Sequence, residues 1–197
     1  HYGVYLSESG GRRGTFNHVG LANVDTRVLA VQYDGPATWL WVGAGEPDPS
    51  KPGQGCHRTR LFESDVRWQP LGAGWAGGTC RGLALAGSTM VAATQSGGVV
   101  RLDTAAPAPS WRTVAVNCGL PLRDRARFDP VDAIAAGTGR QLMAGGLKGI
   151  YRSTDAVDWA ASANQSTVDL VTVPDTWLLC SGEHDVKVVR SDARSGG

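Results

Sequence analysis

Apolar residues in this chain come in short runs of four to six, and they almost never recur at helical spacing. The runs are rich in β-branched residues or alternate with polar ones, and Gly, Asp, Asn, Ser and Pro bound them, which predicts strands rather than helices. Four pairs of runs stand out: 28–33 with 39–42, 82–85 with 90–93, 132–135 with 141–144, and 169–173 with 177–180. Within each pair lies a short turn, respectively Asp34-Gly35-Pro36, Ala86-Gly87-Ser88, Gly137-Thr138-Gly139 and Pro174-Asp175-Thr176. Glycine supplies a positive φ in such turns and proline a preset one.

A third run follows each pair, and a copy also opens the chain. These runs are Val4-Tyr5-Leu6-Ser7, Arg60-Leu61-Phe62-Glu63, Val99-Val100-Arg101-Leu102, Ile150-Tyr151-Arg152-Ser153 and Val188-Val189-Arg190-Ser191. Matched positions are Tyr5, Leu61, Val100, Tyr151 and Val189, spaced by 56, 39, 51 and 38 residues. An aromatic residue then opens a short fourth run: Phe16, Trp68, Trp111 and Trp159, spaced by 52, 43 and 48 residues. Two independent markers keep one uneven beat of about 46 residues, and four strands per such unit is the signature of a β-propeller blade. The predicted fold is therefore all-β, a propeller of four-stranded antiparallel blades with about four blades in this chain. The approximate blade units are 1–27 (partial), 28–72, 80–116, 131–163 and 168–197 (partial), within one domain spanning 1–197. Small apolar inner strands suit blades covered on both faces, and Trp68, Trp111 and Trp159 are expected to wedge between adjacent blades. The chain begins at His1 rather than methionine, and both its ends fall in a third strand. This favours an arc of a six- to eight-bladed ring over a closed four-bladed propeller. An arc would leave sheet faces and edges for a further segment or a partner to cover.

Composition alters this picture little. The chain has 197 residues, 42% hydrophobic and 19% charged, with a net charge of +1, so no strong field draws it to nucleic acid or an acidic substrate. The 27 glycines have no Gly-X-Y period and fit tight turns. Cys56, Cys80, Cys118 and Cys180 form no CxxC pair and no zinc-finger spacing, so their pairing and the compartment stay open, extracellular and assembly-associated settings included. No apolar run reaches 18 residues, so no membrane-spanning helix is expected, and no signal-peptide pattern is visible.

The segment Ser153-Thr154-Asp155-Ala156-Val157-Asp158-Trp159 resembles the Asp-box of the sialidase-like (BNR-repeat) β-propeller superfamily, Ser-x-Asp-x-Gly-x-Thr-Trp. Val157 stands at the glycine place, and the segment is one residue short. Ser7-Glu8-Ser9-Gly10-Gly11 followed by Thr15-Phe16 is a looser echo, and Asp65 before Trp68 another. The resemblance implies structural roles for Ser153, Asp155 and Trp159: the Ser and Asp side chains bond the turn backbone and the Trp packs into the blade. It implies fold rather than catalysis, since the same group includes sortilin-like receptors and photosynthetic assembly factors.

Candidate binding residues lie where loops depart from the repeat. Segment 46–55, stiffened by Pro47, Pro49 and Pro52, carries Lys51. Segment 117–130 carries Arg123, Arg125 and Arg127 at alternate positions beside Asp124 and Asp129, a set that either forms local ion pairs or clamps a carboxylate or phosphate. No catalytic residue is assigned. Arg101, Arg152 and Arg190 recur at one strand position, as a sialidase arginine triad would require, but repeat equivalence explains that recurrence, and no Glu is paired with a free Tyr. The four histidines are scattered; there is no GxSxG, P-loop or HExxH motif, and Glu183-His184-Asp185 is short of metal ligands. No metal or cofactor is called for. The sequence reads as a non-catalytic scaffold or recognition module that takes a protein partner or a further propeller segment. The alternatives are a glycan-binding propeller using Trp41 or Trp75, and a fragment of a sialidase-like glycoside hydrolase.

Overall fold

In a computed structural model of the chain, the structure describes residues 2–48, 50–63, 65–173, 176–180 and 186–190. The strands are β1 (Tyr2–Ser7), β2 (Phe16–Asp34), β3 (Ala37–Ala44), β4 (Cys56–Arg60), β5 (Gln69–Leu71), β6 (Cys80–Ala86), β7 (Thr89–Thr94) and β8 (Val99–Asp103). They continue as β9 (Arg112–Thr113), β10 (Ala133–Ala136), β11 (Leu142–Gly146), β12 (Gly149–Ser153), β13 (Ala160–Ala163), β14 (Asp169–Val173), β15 (Thr176–Cys180) and β16 (Val186–Arg190). All neighbours pair antiparallel in chain order, giving sheets β1–β5, β6–β9, β10–β13 and β14–β16. The only helical piece among the described residues is a single 3-10 turn at Thr138–Arg140, as the apolar spacing predicts.

The turns fall where glycine allows them. Gly35, Gly87 and Gly139 take φ of 54°, 63° and 64° in the connections β2–β3, β6–β7 and β10–β11. The sheets stack face to face, with β2 and the first strands of the other three sheets side by side in the order β2, β6, β10, β14. Between the first and second sheets lie Trp41, Cys56, Met90, Val100 and Leu102, joined by Val28 and Ala30. Between the second and third lie Val91, Val99, Ile134, Leu142 and Trp159. Ala133, Ala135, Met143, Ile150 and Leu170 fill the next gap. Small residues set the spacing: a Cβ on Gly43 would lie 2.5 Å from Cys80 Sγ.

Two elements differ from expectation. The third strand of the 28–72 repeat is Cys56–Arg60 (β4), not Arg60–Glu63. Gly43 pairs with Cys56 and Val42 with His57, so the residue equivalent to Val100 and Tyr151 is His57 rather than Leu61. Cys56 is fully buried between sheets and fixes this register, whereas Phe62 sits at φ 65° and is 89% exposed. The second difference is β2. It runs unbroken from Phe16 to Asp34, pairing with β1 in its first half and β3 in its second, so it binds the amino-terminal ribbon and the next sheet into one five-stranded sheet. A register shift between Thr26 and Val28 marks the changeover.

Candidate functional site

Residues on one face of β2 distinguish the first sheet from the others. In the second sheet Leu83 pairs with Ala92 and Leu85 with Met90, and all four pack on the first sheet. In the third, Ile134 pairs with Ala144 and Ala136 with Leu142, and all four pack on the second. The matching pairs in the first sheet are Leu29 with Val42 and Val31 with Leu40. Val42 and Leu40 are covered by Val4, Val19, Leu21, Leu61 and Trp68, but Leu29 is 58% exposed, Val31 46% and Tyr33 79%. Positions that elsewhere touch a neighbouring sheet are therefore open here, an apolar strip of the kind that marks an interaction surface.

The two long loops are built locally. In segment 46–55, Glu46 N–H donates to Thr79 Oγ1, whose hydroxyl donates back to the Glu46 carbonyl at 3.0 Å, tying the loop to the second sheet. Lys51 Nζ lies 3.7 Å from Asp48 Oδ2. In segment 117–130 a bridge between Leu122 and Phe128 makes a small hairpin, with Phe128 buried beneath it. Arg127 Nε donates to Asp124 Oδ2 at 2.6 Å, and Arg123 Nε lies 3.8 Å from Asp129 Oδ1. Bonds from the Ala126 N–H and from Arg127 hold the Asp124 carboxyl below its ordinary pKa. The hairpin thus carries Arg123, Arg125 and Arg127, with Arg123 and Arg127 engaged by the loop's own carboxylates.

At the turn after β12, Ser153 Oγ accepts bonds from the N–H groups of Asp155 and Ala156, and Asp155 Oδ1 accepts from Val157 at 2.8 Å and Asp158 at 3.0 Å. These bonds hold the Asp155 carboxyl below its usual range, the Val157 N–H contributing most. Trp159 is buried between the second and third sheets, and its backbone N–H donates to the Cys118 carbonyl. Trp111 donates from Nε1 to the Leu71 carbonyl and meets Trp75 edge-on, and Trp68 donates to the Val19 carbonyl at 2.8 Å. Trp111 and Trp159 therefore wedge between adjacent sheets as expected, whereas Trp68 does not: it packs within the first sheet, against Val4, Val19, Leu21, Leu40 and Val42.

Two alternatives raised by the sequence find no support among the described residues. Trp41 is fully buried and Trp75 is 6% exposed, so neither offers a face for sugar stacking. Trp41 Nε1 instead donates to Gln32. Arg101 and Arg152 do not converge: Arg101 faces the gap between the second and third sheets, while Arg152 is exposed at the equivalent position one sheet on. The Arg190 side chain and Glu183-His184-Asp185 lie outside the described residues. Cys56, Cys80 and Cys118 are buried free thiols; burial, reinforced by Cys80, pushes the Cys56 thiol well above its ordinary pKa. The Cys180 side chain is likewise outside the described residues. The sequence did not single out the stacking of Arg58 on Trp39, 4.4 Å from the ring centre, with Arg60 at 4.9 Å from the same ring. Alternation of Trp and Arg on the paired strands β3 and β4 is the signal that carries it.

Among solved structures, a gluconolactonase from Xanthomonas campestris superposes with a TM-score of 0.59 at 15% identity, over 92% of this chain and 63% of its own. A chain of the mitotic checkpoint complex gives 0.60 at 14% identity, over 94% of this chain and 55% of its own. The fold is a β-propeller. The sheets are its blades, and this propeller spans less than two thirds of the gluconolactonase's length. A computationally designed protein, Ika4, also matches, at a TM-score of 0.53 and 12% identity over 83% of this chain and 91% of its own. No family model and no curated protein matches the sequence. At these identities the likeness is one of fold.

Proposed function

We propose that this propeller is a non-catalytic scaffold that binds a protein partner, the primary contact being the uncovered face of β2. The observation that carries this reading is the exposure of Leu29, Val31 and Tyr33, two of them at positions that pack blade on blade everywhere else in the described chain. Similarity to chains from the mitotic checkpoint complex and the COPII coat supports it, because those chains belong to multiprotein assemblies. The occupant the face fits is another β-sheet face, from a further propeller segment or a second chain. Arg125 at the 117–130 hairpin, with Arg123, Arg127 and Lys51 on the long loops, is proposed as a secondary polar contact. Within the propellers, membership of the sialidase-like Asp-box group is supported by the bonds that Ser153 and Asp155 make to their own turn.

The test is the native mass of the purified chain at rising concentration, against a double variant Leu29→Asp/Tyr33→Asp. The expected result is association above the 20.7 kDa monomer that the variant abolishes while its far-UV circular dichroism is unchanged. A wild type that stays monomeric, and whose binding of a hydrophobic dye is unaltered by the two substitutions, would defeat the reading.

A further inference from the structure

A polar cavity of about 420 Å³ opens at the rim between the second and third blades, well away from the β2 face. Its walls come from the turn joining β6 to β7, strand β8 and the loop after it, strand β9, the turn at residues 138–140 and the turn after β12. Three guanidinium groups line it: Arg101, Arg112 and Arg140. Arg101 and Arg112 are direct cross-strand partners on β8 and β9, so two like charges stand on one face at adjacent strands, an arrangement that is unfavourable unless something neutralises it.

The protein's own carboxylates do not do so. Asp103 and Asp155 also line the cavity, but Asp103 Oδ1 accepts the Ala105 N–H and Asp155 Oδ1 is bonded to its own turn. Among the described residues, none of the three arginines is in an ion pair, although seven ion pairs occur elsewhere. Arg101 Nε is buried and has no hydrogen-bond partner, a cost that folding does not leave uncompensated without a reason. Ser88 and Thr154 add hydroxyl groups to the same walls, while the Ser110 hydroxyl donates to the Ala73 carbonyl, and Val91, Leu142 and Ala156 add an apolar floor.

We infer that this cavity is a binding site for a phosphate group, most fully occupied by a phosphate monoester. Guanidinium forks match tetrahedral oxyanions in geometry, and three of them suit a dianion better than the single charge of a carboxylate. The cavity exceeds the size of the bare ion, and its apolar floor suits the organic part of an ester.

Calorimetric titration of the purified chain with inorganic phosphate and with phenyl phosphate, at fixed ionic strength, tests this. Saturable binding of both is expected, tighter for the ester. Arg101→Gln and Arg112→Gln should each weaken it about tenfold or more, by loss of a charge-assisted bond. Arg152→Gln, at the equivalent position in the next gap, should leave it unchanged. If inorganic phosphate alone binds, the site takes the free ion and the ester part of the inference falls. Absence of saturable binding of either ligand, or an equal loss in Arg152→Gln, overturns the site. The β2 face is untouched by these variants, so this outcome is independent of the association test.

Discussion

Asp155 shows how much a single side chain does here. Its carboxylate closes a turn by accepting two backbone N–H groups and the Ser153 hydroxyl, and all of these bonds favour the charged form. Its pKa is therefore depressed below the unfolded value of 3.8, with the Val157 N–H as the main cause. The unfolded chain binds the proton more readily than the folded one, so the stability this residue contributes is fully present above the unfolded pKa and lost as pH falls through the folded one. Urea unfolding of the wild type and Asp155→Ala at pH 7 and at successively lower pH should show the difference between them shrinking as the acid range below pH 3.8 is entered. A difference constant down to full protonation would mean that the carboxylate charge is not what holds the turn. This residue was legible in the sequence because a Ser-x-Asp pair ahead of a tryptophan is a local pattern whose chemistry needs nothing distant.

At the scale of elements, the fourth strands are short and the tryptophans before them do the joining. Trp111 gives the Leu71 carbonyl of the preceding blade its partner at 2.8 Å and presents its edge to Trp75, 5.1 Å between ring centres. Trp111→Phe keeps an aromatic ring and removes the donor, so chemical denaturation should report a loss of about 1–3 kcal/mol, the cost of leaving a buried acceptor unpaired. Trp111→Ala should cost more, about 3–5 kcal/mol, through the cavity it opens. If the Phe variant matched the wild type, the indole bond would be contributing nothing. Aromatic openers, glycine turns and small apolar inner strands are all local or periodic, which is why the blades could be read from the chain. The register of β4 could not, because the residue that occupies the repeated position is polar His57 while the apolar Leu61 and Phe62 beyond it mimic a strand. Nor could the Arg101, Arg112 and Arg140 cluster: it joins two blades through β8–β9 pairing and a turn at residues 138–140, and no spacing along the chain announces that meeting.

For the whole molecule, stability rests on the gaps between blades, since each four-stranded sheet buries both faces against neighbours. Cys56 sits in the first gap, fully buried beside Cys80, with its thiol held protonated well above the usual range. The thiolate is the reactive form, so alkylation at pH 8 should be slow while the first two blades stay together. It should accelerate with urea along the same curve as the tryptophan fluorescence, because parting those blades exposes the thiol and dissolves the Trp41 environment in one event. Rapid labelling of Cys56 in native buffer would show instead that the gap opens independently of global unfolding.

The unbroken strand β2 bears on how this body moves. Because one backbone belongs to both the amino-terminal ribbon and the first full blade, no loop separates them, and they are joined through the irregular stretch at Gly20 and Leu21 and the bulge at Thr26 and Val28. The ribbon is a lever arm rather than a tether. A load that tilts β1 is transmitted along β2 to β3, and so to the apolar strip at Leu29 and Val31 that lies between them.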